Sequence, residues 1–167
     1  MMSADTLSDL ELQEEGDAVV ALFSGLILIA DDYGIFQAHP MYVAGQVYRF
    51  GQHNAAETKV MLETLARKRF ILPFESAGRA YYAMRSWFKH QSLYRPRALT
   101  VRPPDDVIEE LARCARDEFH VRRIFSETGQ RAVVSANESR REYAAKQRAY
   151  KKPAQGAELP TAEGADW

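Results

Sequence analysis

The sequence predicts a mainly α-helical protein that contains one small β-ribbon. Apolar residues make up 46% of the 167 residues, which is enough for the core of one ordinary domain with appended segments. Apolar positions recur with a helical period through most of residues 17–67. The period changes to two only from Phe70 to Arg85, where two short strands can form a hairpin.

The first predicted helix covers the apolar stretch from Ala18 to Ala30, with Asp17 as its expected N-cap. Apolar residues surround it on nearly every side, which is typical of a helix in the middle of a small domain. The stretch is too short to cross a bilayer, which needs about 20 apolar residues. It ends at a turn from Asp31 to Gly34, where glycine can take a positive φ and aspartate can bond its own backbone.

Two further helices are predicted before the ribbon. Pro40 suits the first position of the second helix, whose apolar side is expected to hold Met41, Ala44 and Val47. The third helix begins near Asn54, which has the spacing of a capping box with Glu57. Its core side holds the apolar pairs Met61/Leu65 and Leu62/Ala66. Its exposed side is expected to hold Thr58, Lys59, Glu63 and Thr64.

The predicted ribbon begins with the alternating residues Phe70, Leu72 and Phe74 and turns between Glu75 and Gly78. On its second strand we expect Ala80, Tyr82 and Met84 to face the core. The residues between them are then expected to face water: Arg79, Tyr81, Ala83 and Arg85. Trp87 is expected to fill the core beneath the ribbon. Three helices followed by a ribbon are typical of a winged helix, in which the third helix is the recognition element.

The chain divides into four predicted segments. Residues 1–16 form a mobile acidic N-terminus, and residues 17–103 form the winged-helix domain. Pro103-Pro104 marks a boundary, after which residues 104–152 form a helical extension. The first helix of this extension carries an apolar stripe and is expected to end at Gly129; the stripe comprises Ile108, Leu111, Ala115 and Phe119. Residues 153–167 are a disordered tail by composition.

Four stretches of residues 20–104 share features with a known group of proteins: Leu22-Phe23-Ser24-Gly25-Leu26, Ala30-Asp31-Asp32-Tyr33-Gly34, Leu62 to Ile71, and Trp87-Phe88-Lys89-His90-Gln91. In this combination the chain resembles winged-helix proteins of bacteriophages and prophages of the replisome-organiser, or DnaD N-terminal-like, type. The resemblance implies a role in starting DNA replication, with DNA and host replication proteins as partners. The matched positions are structural, and the C-terminal half departs from two-domain replisome organisers.

Charge is distributed unevenly along the chain. Residues 1–58 carry a net charge of −8, residues 59–103 carry +8, and residues 104–167 carry −1. A strongly positive middle segment indicates a phosphate-binding surface, because cations bind phosphate and release counterions. On a winged helix these residues can meet beside one groove, and Tyr81 can stack or contact sugar. The predicted nucleic-acid-binding residues are Lys59, Arg67, Lys68, Arg69, Arg79, Tyr81, Arg85, Lys89, Arg95, Arg97 and Arg102.

Other interpretations of this positive segment stay open. It can be a solvated face, or it can pair with the acidic N-terminal segment of the same chain. The third helix lacks an obvious set of Arg and Asn side chains for reading base edges, so weakly specific or single-strand binding is as well supported as operator recognition. The rival functions are a dimeric transcriptional regulator on the same fold and a protein-interaction module that captures or inhibits a host replication or defence protein.

No catalytic or cofactor motif is evident, so the sequence predicts a binding protein without a cofactor or a metal and not an enzyme. It contains no Gly-rich phosphate loop, nucleophile elbow or metalloprotease motif. Its four histidines lack zinc-type spacing. One cysteine, Cys114, excludes an intramolecular disulfide and fits a reducing cytosol. No basic region precedes an apolar stretch at the start, so we expect a cytoplasmic protein in a bacterial host, with no membrane contact.

Overall fold

The computed structural model describes residues 10–49, 51–93 and 95–151. Its helices are α1 (Leu10–Gln13), α2 (Asp17–Ile29), α3 (Pro40–Val47), α4 (Ala55–Arg67), α5 (Trp87–His90), α6 (Asp105–Arg113), α7 (Glu118–Phe125) and α8 (Glu127–Lys151). Its strands are β1 (Ile35–Gln37), β2 (Ile71–Ser76) and β3 (Arg79–Met84). The predicted fold class, mainly helical with a small antiparallel β-structure, is confirmed. The predicted tail at residues 153–167 lies outside the described residues.

The sheet has one strand more than the sequence predicted. β1 joins the hairpin, and the order is β1-β3-β2 with all pairs antiparallel. Phe36 lies opposite Tyr82 on one side of the central strand, and Pro73 lies opposite the same residue on the other side. Because β2 is an edge strand, the proline there removes no hydrogen bond from the middle of the sheet.

Both faces of the sheet are covered, whereas only one face of the ribbon was expected to be buried. One face, with Ile71 and Met84, packs on α1 to α4. The other face, with Tyr81 and Ala83, packs on α6 and α7 through residues such as Leu111. Tyr81 and Ala83 are therefore buried, and the expectation that they face water is wrong. Alternating side chains identify a strand, but they do not show which of its faces is buried when helices cover both.

The N-terminal segment contributes to the core from residue 10 onward. Leu12 on α1 is fully buried against α2 and α4, so this part of the predicted mobile segment is attached to the domain. Asp17 is the first residue of α2, and Gly16 with φ 91° takes the N-cap position that we expected Asp17 to hold. The remainder of the segment, residues 1–9, lies outside the described residues.

The predicted turn after α2 is confirmed. Oδ1 of Asp31 accepts hydrogen bonds from the backbone N–H groups of Tyr33 and Ile35, both at 2.9 Å. Gly34 has φ 77°, and Trp87 lies directly against it. The Trp87 indole donates from Nε1 to the carbonyl of Asp32 at 3.0 Å and contacts the clusters on both faces of the sheet. This turn therefore fixes the tryptophan where the two halves of the core meet.

α3 and α4 begin as predicted, but on each helix one residue differs from its predicted burial. Pro40 opens α3, and Asn54 with Glu57 forms a complete capping box on α4. The buried residue of α3 is Val43, whereas Met41, expected on the core side, is 68% exposed. Thr58, expected on the exposed side of α4, is fully buried, and its Oγ1 donates to the carbonyl of Asn54 at 2.8 Å.

The described part of the C-terminal half contains three helices, α6, α7 and α8, where the sequence predicted one helix followed by a charged helix or arm. The stripe breaks between α6 and α7, so Phe119 is 73% exposed instead of buried. Gly129 lies inside α8 and does not end a helix. A Cβ at this position would collide with the carbonyl of Arg123, so a larger residue does not fit there without a shift. For residues 137–152 a solvated helix and a partly ordered arm were both open; as far as Lys151 the segment is the outer part of α8, and its side chains are exposed wherever they are described beyond Asn137.

Candidate nucleic-acid interface

The outward face of α4 carries mixed charge. Lys59 forms an ion pair with Glu63 at 3.7 Å, and both side chains are largely exposed. Val60, between them, is 62% exposed. Arg67, in the last turn, is exposed as well. An ion pair of this kind contributes little to stability, but its carboxylate lowers the attraction of this face for phosphate.

The base of the ribbon holds three of the predicted cations, and all three are paired inside the protein. Lys68 contacts Glu15 of the N-terminal segment at 2.8 Å. The hydrogen bond and charge of Glu15 raise the pKa of Lys68 above its ordinary value. Arg69, with φ 60°, and Arg85 both contact the same carboxylate oxygen of Glu110, at 3.0 and 2.8 Å.

Glu110 is a structural position that the sequence did not reveal. Its side chain is 8% exposed, and Arg113 of the same helix joins Arg69 and Arg85 around it. The available signal was a carboxylate on the buried side of α6, three residues after Val107 and next to Leu111. The cluster links α6 to the ribbon and pairs two predicted phosphate-binding arginines with a carboxylate of the same protein.

The ribbon tip presents Arg79 but not Tyr81. Tyr81 is 9% exposed and stacks on Phe74 with ring centroids 5.6 Å apart, so it cannot stack on a base as expected. Arg79 is exposed and lines a groove of about 500 Å³ with His39 and Pro40. No side chain caps the N-terminus of α3 at this point. An uncapped helix N-terminus beside an arginine is a favourable place for an anion.

The segment after α5 is held against the body by its own arginines. Arg97 donates from Nε and from its backbone N–H to Oδ2 of Asp32, at 3.2 and 2.7 Å. Arg102 donates to the carbonyl of Phe125 at 3.2 Å and to Asp105 at 2.6 Å. Lys89 on α5 and Arg95, with φ 55°, are exposed.

The pKa of Asp32 reflects its pairing with Arg97. Partial burial raises this pKa, but the hydrogen bonds from the Arg97 side chain and backbone outweigh burial and hold it below the ordinary value. The hydrogen bond and charge of Asp32 raise the pKa of Arg97 in turn. Lys68 and Arg97 thus pair with residues of the acidic first third of the chain, which is the alternative that the charge distribution left open.

In comparisons with known proteins, no family model matches the chain, and no curated protein or solved structure matches it either. The resemblance to phage replisome organisers therefore stays a prediction. Within the described residues, no helix is both long and apolar enough to cross a membrane. In the same part of the chain, no three His, Cys, Asp or Glu side chains come together in a way that could hold a metal ion.

Proposed function

We propose that this chain is a DNA-binding winged-helix protein of phage or prophage type that acts in the initiation of replication. The observation that carries the proposal is the order of elements α2-β1-α3-α4-β2-β3 with sheet order β1-β3-β2. The hairpin of β2 and β3 directly follows α4 and pairs with β1, the short strand after α2. This is the arrangement expected of a winged helix whose three helices are α2, α3 and α4.

The proposed phosphate contacts come from Arg67, Arg79 and Lys89. For these three side chains, no ion pair with another residue of the described ranges is present. We also include Lys59 among the phosphate contacts, because its ion pair with Glu63 spans 3.7 Å and both side chains are exposed. The paired cations at Lys68, Arg69, Arg85, Arg97 and Arg102 are assigned to holding the fold together, which revises the predicted site.

The proposed binding is weak and largely independent of DNA sequence. The exposed face of α4 offers Lys59, Val60 and Glu63, none of which is suited to bidentate recognition of a purine. Phosphate contacts position a protein on DNA without reading its sequence. With three or four such contacts, affinity falls with salt at a slope of about 0.9 per phosphate neutralised on duplex DNA.

Fluorescence anisotropy with labelled random duplex and single-stranded DNA, across a salt series, tests the proposal. The test variant is Lys59→Ala/Arg67→Ala/Arg79→Ala in the full chain. We expect weaker binding and a salt slope that is shallower by about two to three. The matched control removes the same charge elsewhere, as Arg116→Ala/Arg131→Ala/Lys146→Ala, and should bind like the wild type.

Two results would overturn the proposal. One is the absence of binding to both DNA forms at low salt. The other is an equal loss in both triple variants, which would indicate attraction by total charge and no defined surface. Strong preference for one palindromic duplex, with a dimer on the DNA, would instead assign the chain to the transcriptional regulators.

A protein-interaction module is the second candidate, and a specific observation favours it. Four large apolar side chains are exposed on α2, α3 and α4: Leu28 by 81%, Met41 by 68%, Val60 by 62% and Tyr42 by 42%. Leu28 and Tyr42 line one groove. Exposed apolar residues that share a groove are typical of partner surfaces. This candidate predicts a host partner that Leu28→Lys/Tyr42→Lys no longer binds, together with no salt-sensitive DNA binding.

A further inference from the structure

A groove of about 510 Å³ lies where α7, α8 and the segment after α5 meet. Its floor is aliphatic and comes from three different parts of the chain: Leu93, Pro96, Ile124 and Val133. Ala132 and Ala136 of α8 also line it, and their small side chains leave the groove open. The residues that line it do not include any of those proposed to contact DNA.

Hydrogen bonds fix the walls of this groove. Asn137 of α8 donates from Nδ2 to the carbonyl of Pro96 at 3.1 Å. Two turns earlier on the same helix, Gln130 donates to the carbonyl of Ile124 at 2.6 Å and accepts from the backbone N–H of Leu99 at 3.0 Å. Because both amides bridge α8 to its neighbours, the groove exists before any ligand enters, which lowers the entropic cost of binding.

The charge at the edges of the groove has one sign. Arg123 of α7 and Arg140 of α8 stand on its two sides, and both are exposed. Of the lining residues that the structure describes, not one is Asp or Glu. Phe119 lies one turn from Arg123 on the same face of α7 and is 73% exposed, so it extends the apolar surface past the groove.

We propose that this groove binds an acidic amphipathic helix of a partner protein. An aliphatic floor between helices accepts the apolar face of a helix, and arginines on both sides pair with carboxylates that flank that face. Single-stranded nucleic acid is the less favoured occupant, because such grooves stack bases on several aromatic side chains, whereas the lining residues that the structure describes here are mainly aliphatic, with His120 as the one aromatic ring among them. The inference is independent of the proposed DNA surface.

The experiment selects binders from a displayed library of random peptides about 16 residues long, a little over four helical turns, on the full chain. The expected consensus has apolar residues spaced three and four apart, flanked by Asp or Glu. The selected peptide is then labelled, and its affinity is measured by fluorescence anisotropy against protein variants, with oligothymidine as a competitor.

Two pairs of variants test the site. Ala136→Trp fills the groove from an exposed helix position, and Ser135→Trp places the same side chain on another face of α8 as its control. Arg123→Glu/Arg140→Glu reverses the charge beside the groove, and Arg131→Glu/Arg141→Glu reverses the same charge elsewhere. We expect Ala136→Trp and the groove charge reversal each to weaken binding about tenfold or more, and each control to stay within about twofold.

Circular dichroism and urea unfolding of all four variants establish that they fold, so a loss of binding can be assigned to the groove. The proposal is overturned if selection yields no peptide that depends on the groove or a consensus without carboxylates. It is also overturned if Ala136→Trp binds like the wild type. Oligothymidine could instead displace the peptide at a concentration similar to that of the peptide itself, and fail to bind the two groove variants. That result would assign the groove to nucleic acid and overturn the peptide proposal.

Discussion

Arg85 at the end of β3 donates from Nε to Oε1 of Glu110 on α6, at 2.8 Å. The two residues are 25 positions apart in sequence, and the glutamate side chain is 8% exposed while the arginine side chain is 39% exposed. Arg69 approaches the same oxygen from the start of the ribbon. One buried carboxylate therefore joins both strands of the hairpin to the C-terminal helices.

Replacing this carboxylate should lower stability more than replacing an exposed one. We expect Glu110→Gln to lower the free energy of unfolding by about 2–3 kcal/mol, because it removes the charge from a buried carboxylate that pairs with three surrounding arginines. Glu109→Gln, which breaks an exposed pair with Arg122, should lower it by much less, because solvent screens that pair. Urea unfolding of both variants measures the difference, and equal losses would contradict the role assigned to Glu110.

The attachment of α1 to the core predicts a contrast between neighbouring leucines. Leu12 is fully buried and Leu10 is 74% exposed. Leu12→Ala should lower the free energy of unfolding by about 2–5 kcal/mol, as for other buried leucines. Leu10→Ala should change it by less than about 0.5 kcal/mol. Chemical denaturation checks both, and a stable Leu12→Ala variant would mean that α1 packs only loosely.

Gly34 is required by its backbone and by its neighbour. Its φ is 77°, and a Cβ there would lie 2.6 Å from the Trp87 ring. Gly34→Ala should therefore destabilise the protein by about 2–4 kcal/mol, with the strain of φ and the collision acting together. Gly78 has a similar φ of 72° but open space around it, so Gly78→Ala should lower the free energy of unfolding by only about 1 kcal/mol. Thermal unfolding separates the two; a similar loss in both would refute the role of Trp87.

The pair of Asp32 and Arg97 predicts an acid-sensitive contribution to stability. The folded-state pKa of Asp32 lies below the ordinary 3.8, so the pair stabilises the protein above that pH and loses its effect as the pH falls through the folded pKa. Asp32→Asn should lower the free energy of unfolding by less than about 1 kcal/mol at neutral pH, because Arg97 is largely exposed and solvent screens the pair, and this loss should shrink as the pH falls below 3.8 and through the folded pKa.

Urea unfolding of wild type and Asp32→Asn across this pH range measures the difference directly. An Arg97→Met change made in both backgrounds completes a double-mutant cycle and isolates the charge pairing from the backbone hydrogen bond. A difference between wild type and Asp32→Asn that stays constant from neutral pH to acid would contradict the assignment.

Local signals predicted local structure well. The capping box at Asn54 and the turn at Asp31 depend on residues at most four apart, and both form as expected. β1 was missed because three residues give no period. The burial of the second face of the ribbon was missed because the helices that cover it begin at Asp105, more than 20 residues after β3 ends, and no sequence pattern near the ribbon indicates them.

The candidate site was harder to predict for the same reason. Clustering in sequence identified the basic residues, but their partners lie far along the chain: Glu15 for Lys68, Asp32 for Arg97 and Glu110 for Arg69. Whether a cation is available to a ligand depends on those distant carboxylates. Residue type and spacing indicated where positive charge lies, and only the tertiary contacts indicated how much of it remains free.

The sheet with two covered faces also has a consequence for synthesis on the ribosome. β3 is complete at Met84, but the helices that cover its second face end only at Phe125. At about 5–20 residues per second, the nascent chain carries an uncovered apolar sheet face for about 2–8 s while they are made. Tyr81 and Phe74 are on that face, with an edge strand beside them. This interval is when the growing chain is most exposed to aggregation and most in need of a chaperone.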